Sequence, residues 1–103
     1  MGLSSRRKGS AIERLIVALH QDAGLPAEKV SRTGYSGPDL RVADEFLAEV
    51  KARKTGEGFV LLETWLTGAD LLFLKRNRQG PLVCMPWEVY ERLLRGYLRG
   101  GTP

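Results

Sequence analysis

The sequence predicts one α/β domain with the element order αβββαββα: a central mixed five-stranded sheet flanked by helices. Three observations carry this expectation. Apolar residues recur at helical spacing in three stretches, near the start, the middle and the end of the chain. Between them lie short apolar or alternating runs bounded by Gly, Pro, Asn and Asp, as strands are. The length, 103 residues, suits one compact domain whose core is modest, so self-association is an expected source of further burial. Residues 1–103 thus read as a single domain, with a basic N-terminal arm at 1–8 and a loose Gly/Thr/Pro tail at 100–103.

Each element has its own signals. Residues 10–23 read as a helix, with Ile12, Leu15, Ile16 and Leu19 at helical spacing, Ser10 as N-cap, and Gly24 with Pro26 ending it. Residues 28–33 read as a short strand, and Gly34, Ser36, Gly37 and Pro38 mark a turn after it. Residues 39–43 and 46–53 read as two strands joined by a tight turn over Asp44 and Glu45. Phe59, Leu62, Trp65 and Leu66 place a second helix at 59–66, ending before Gly68. Residues 70–76 and 82–85 form a further hairpin around a loop at 77–81. A last helix, 87–98, is opened by Pro86 and carries Val89, Tyr90, Leu93, Leu94 and Leu98.

Composition excludes several classes. No apolar run reaches the roughly 18 residues that a bilayer span needs, so no membrane partner is expected. Residues 1–8 are polar and basic with no apolar stretch behind them, so an intracellular, cytoplasmic protein is expected. A single cysteine, Cys84, has no intramolecular disulfide partner, and with a single histidine, His20, it cannot build a Cys/His zinc site in one chain. Cys84 reads as a small buried hydrophobe, His20 as a surface or packed residue, and Trp65 and Trp87 as core or dimer contacts. The net charge is only +4, but the cations cluster at Arg6-Arg7-Lys8, Lys51–Lys54 and Lys75–Arg78. Such clusters favour a polyanionic partner, although the last of them reads as a plain hairpin loop.

The informative stretch is Pro38-Asp39, nine further residues, then Glu49-Val50-Lys51. On a strand, alternate residues share a face, so Glu49 and Lys51 project to one side, about 6–7 Å apart along the chain. Ala48, Val50 and Ala52 face the other way and can pack beneath a helix. Asp39 joins Glu49 and Lys51 only if the hairpin turn has an odd number of residues. A two-residue turn would place it opposite Val50, on the wrong side. Two convergent carboxylates make a hard-oxygen site suited to Mg²⁺ or Mn²⁺, and a neighbouring ammonium suits the charge that develops on a phosphate under attack.

This pattern resembles the PD-(D/E)xK nuclease motif. The segment Arg7-Lys8-Gly9-Ser10-Ala11-Ile12-Glu13-Arg14 also resembles the start of archaeal-type Holliday junction resolvases. The resemblance spans residues 6–54; the remainder looks more similar to short phage-encoded nucleases with the same core, which makes a phage-encoded protein an expectation. The resemblance implies a restriction-endonuclease-like core and a Mg²⁺-dependent homodimeric endonuclease acting on branched DNA. It implies a metal held by Asp39, Glu49 and the carbonyl of Val50, with Glu13 in support and Lys51 in the chemistry. It also implies a role for Ser36. Arg6, Arg7, Lys8, Arg14, Arg53 and Lys54 would meet DNA phosphates. Glu13 has a second reading, since Ser10-x-x-Glu13 is also a helix-capping box. Two other functions stay open: a nuclease of the same fold that nicks or processes other DNA, and a non-catalytic nucleic-acid-binding or assembly module.

Overall fold

The computed structural model describes residues 3–31 and 37–100, with side chains from residue 10 onward. The chain is α/β, and the order αβββαββα holds. The elements are α1 (Leu3–Asp22), β1 (Ala27–Lys29), β2 (Leu40–Val42), β3 (Phe46–Ala48), α2 (Phe59–Leu66), β4 (Leu72–Leu74), β5 (Leu82–Cys84) and α3 (Trp87–Leu98). Among the described residues the strands make two separate antiparallel sheets, β1-β2-β3 and β4-β5, where one mixed five-stranded sheet was expected. Within each sheet every strand pairs with its neighbour in sequence, which is the least demanding pairing to form. The chain divides into two compact units, Met1–Ala52 and Arg53–Pro103. No helix among the described residues is long and apolar enough to cross a membrane.

In the first unit, α1 packs on β1. The helix begins at Leu3 rather than at Ser10. Arg6, Arg7 and Lys8 are good helix formers, and no proline intervenes to stop the helix. Ser10 is therefore an interior residue, and its hydroxyl accepts from Arg14 (2.7 Å) and Lys29 (2.8 Å) instead of capping an amide. The C-terminus follows its sequence signal closely. Gly24 takes a φ of +76°, its N–H bonds the Gln21 carbonyl, and the N–H of Leu25 reaches back to His20 at 2.8 Å. This pair of bonds is the Schellman cap, and Leu25 supplies its apolar contact, only 3% exposed.

The covered face of α1 is Ile12, Glu13, Ile16, Val17 and His20, while Leu15 and Leu19 are exposed. His20 is buried, and its Nδ1–H donates to the Ile16 carbonyl at 2.8 Å. On the sheet, Leu40 is fully buried and Val42 nearly so, while Arg41 between them is exposed and pairs with Glu28 directly across β1. The core of this unit thus lies between α1 and the Leu40–Val42 face of the central strand.

The β2–β3 turn differs from expectation in one residue. Val42 pairs with Phe46, so Ala43, Asp44 and Glu45 are all outside the ladder. Ala43 and Asp44 both have positive φ, +55° and +57°, and the Glu45 N–H bonds the Val42 carbonyl at 3.1 Å. A tight turn of this handedness matches the twist of a hairpin, and Glu45 is the extra residue behind it. A left-handed alanine costs about 1–2 kcal/mol. Ala43→Gly is therefore expected to raise the melting temperature of the first unit, with a gain of about 0.5 kcal/mol after the greater chain entropy of glycine. A lower melting temperature would contradict the strain assigned to this turn.

In the second unit, Phe59, Leu62 and Leu66 line one side of α2 with Cys84, Met85 and Pro86 nearby. Cys84 is half-buried there. Val89 and Leu94 are the buried residues of α3. The Trp87 ring lies 5.1 Å from Tyr90, whose phenol is pushed above its ordinary pKa by burial. Trp65 does not join a core, as its side of α2 is open and it stays 51% exposed.

Candidate active site on the first hairpin

The three-residue turn meets the register condition. Leu40 pairs with Ala48 in the last rung of the ladder, and Asp39 and Glu49 are the next residues beyond it on the two arms. The Asp39 N–H bonds the Ala48 carbonyl at 2.9 Å. In return the Val50 N–H donates to Asp39 Oδ2 at 2.7 Å. This short bond to a carboxylate fixes the Asp39 side chain against the β3 end of the hairpin.

β3 ends at Ala48 rather than at residue 53, yet burial still alternates beyond it. Ala48, Val50 and Ala52 are half-buried, and Glu49 and Lys51 are exposed. Lys51 Nζ lies 3.4 Å from Glu49 Oε2, with both side chains more than half open to solvent. An exposed pair of this kind adds little to stability, so either group can change partners without disturbing the fold.

Glu13 is held elsewhere. Its carboxylate accepts the Ser31 hydroxyl at 2.8 Å and lies 3.6 Å from Lys29 Nζ. The helix starts too early for Glu13 to cap it, so the capping-box reading is corrected. Lys29 pairs with Leu40 and therefore shares the covered face of the sheet, whereas Asp39 and Glu49 lie just beyond the ends of β2 and β3. The link between the two groups is indirect: the Ser31 hydroxyl bonds Glu13, and the Ser31 N–H bonds the Asp39 carbonyl at 3.2 Å. The alternation of Lys29 and Ser31 along one strand face could have pointed to this network, but neither residue belongs to the motif.

Among the described residues, no three acidic, His or Cys side chains gather closely enough to hold a metal ion. The donors nevertheless fit a hard divalent cation in kind. Mg²⁺ is commonly held by one or two carboxylates, with water and substrate phosphate completing its shell. Asp39 and Glu49 can supply that pair. Val50 meets Asp39 through its N–H, which leaves the carbonyl lone pairs uninvolved in that contact.

The remaining site candidates are distributed as follows. Arg14 is exposed and bonds Ser10. Arg53 and Lys54 are exposed and open the second unit. Arg6, Arg7 and Lys8 lie on the backbone of α1, with their side chains outside the described atoms; Ser36 lies outside the described residues. No protein-family model, curated protein or solved structure matches this chain.

Proposed function

We propose that this chain is a metal-dependent DNA endonuclease of the PD-(D/E)xK type, acting on branched duplex DNA as a homodimer. The observation that carries the reading is the hairpin register. Its odd turn leaves Asp39 and Glu49 just beyond the last rung of the ladder, with Lys51 at 3.4 Å from Glu49. A binding module gains nothing from carboxylates turned toward phosphate, so this combination favours hydrolysis.

Asp39, Glu49 and the Val50 carbonyl would hold Mg²⁺ (or Mn²⁺). When bound, the ion activates water and neutralises charge on the scissile phosphate. Asp39 is held ready by the Val50 N–H. Lys51 leaves Glu49 to meet the phosphate charge as it develops. Glu13 supports the site from behind through Ser31, which braces the strand that carries Asp39. Arg6, Arg7, Lys8, Arg14, Ser36, Arg53 and Lys54 would contact the DNA backbone, which positions a substrate without reading its sequence. The exposed apolar residues Leu93 and Tyr97, one turn apart on α3, support self-association.

The test is cleavage of a labelled four-way junction, a linear duplex of matched sequence and single strands, each with Mg²⁺ and with EDTA. Junction cleavage that requires Mg²⁺ and is lost in Glu49→Gln is expected. Cleavage of none of the substrates would overturn the enzyme reading. Equal cutting of the linear duplex would overturn the preference for branched DNA, and a strictly monomeric protein in sedimentation would overturn the dimer.

A further inference from the structure

The second unit contains a groove that the hairpin chemistry does not use. It has a volume of about 560 Å³ and is lined by Trp65, Leu72, Leu74 and Leu82, with Lys75, Arg76 and Gln79 from the β4–β5 loop. The indole of Trp65 is 51% exposed, far more than a packing tryptophan needs to be. The loop carries three cations: Lys75 and Arg76 line the groove, and Arg78, with a left-handed φ of +64°, follows them just outside the lining. Among the described residues, no carboxylate pairs with Lys75, Arg76 or Arg78, and Lys75 Nζ rests on the neighbouring Arg76 carbonyl at 2.9 Å. The groove lining contains no acidic residue. An open aromatic face beside unneutralised cations is what an unpaired nucleotide requires, because the base stacks while the cations meet its phosphate.

We propose that this groove binds a single strand of DNA, with one unpaired base stacked on Trp65 and its flanking phosphates on Lys75, Arg76 and Arg78. The charge of the loop selects this occupant over a second copy of the chain, whose net charge is also positive. The proposal rests on the nuclease reading and extends it to the second unit, supplying a grip on unpaired strands where a branched substrate exposes them. It needs no metal and no cleavage, so either reading can fail alone.

The experiment measures binding of the full chain, in EDTA, to a labelled oligothymidylate and to an abasic strand of equal length. The thymidylate is expected to bind about tenfold tighter, the worth of one stacked base. Trp65→Leu should erase that difference, and Trp65→Phe, which keeps an aromatic face, should largely restore it. Arg76→Ala should weaken both strands alike and flatten the salt dependence of binding. Since Trp65 is open to solvent, none of these changes empties a core. Equal affinity for the two strands, or unaltered discrimination in Trp65→Leu, would overturn the proposal. So would loss of self-association in Trp65→Leu, which would assign this face to a second copy.

Discussion

Asp39→Asn is expected to lower cleavage of the preferred DNA by about three orders of magnitude, since the charge stabilisation lost at a metal site is worth several kcal/mol. The fold should survive the change. The asparagine carbonyl can still accept the Val50 N–H that Asp39 Oδ2 now takes at 2.7 Å, so only the negative charge is removed. Asp39→Ala separates the two roles of this residue. It removes the acceptor as well, leaving a half-buried amide unpaired, and should cost a further ~1–3 kcal/mol of stability. Cleavage rates and denaturation midpoints on both variants make the comparison. An Asp39→Asn protein that cuts at the normal rate would remove Asp39 from the chemistry.

Leu40→Ala is expected to destabilise the first unit by about 2–5 kcal/mol, the range for a fully buried leucine that leaves a cavity. Leu40 is the one large side chain with no exposure among the described residues. It sits on the central strand, between Lys29 of β1 and Ala48 of β3. A loss of this size is a large part of the stability of any small domain. Trp65 and Trp87 both belong to the second unit, so tryptophan fluorescence reports on the wrong part of the chain. Hydrogen exchange at the β2 amides is the suitable measurement. A change below about 1 kcal/mol would mean that α1 closes over the space, contrary to packing in which neighbours relax only partially.

The two predictions touch adjacent residues with opposite duties. Leu40 faces the helix and holds the unit together, while Asp39 carries the proposed chemistry. That division depends on the alternation of a strand, and the alternation depends on one residue in the turn. Had the turn held only Asp44 and Glu45, Asp39 would lie opposite Val50 and the site would be split between faces.

The order of the elements and the parts governed by short-range signals can be read from the residues alone. The spans 59–66 and 87–98 were legible as α2 and α3, because helical spacing and a bounding glycine or proline act within a few residues. The end of α1 was legible at Gly24 for the same reason. The alternation of exposed Glu49 and Lys51 with half-buried Ala48, Val50 and Ala52 was legible as well, although β3 itself ends at Ala48.

Whatever depends on pairing between distant residues was set by the folded arrangement. It decided the start of α1, since nothing local distinguishes Ser10 as a cap from Ser10 as an interior residue bonded to Lys29. It set Glu13 against Ser31, eighteen positions away, on the covered face of the sheet. It divided the five strands into two sheets, and left Trp65 open beside a basic loop. It added Ala43 to the turn and so made Leu40–Ala48 the last rung, with Asp39 and Glu49 just beyond it, the placement on which the proposed function rests. Register and burial are settled by which surfaces meet, and a sequence pattern records only that each surface exists.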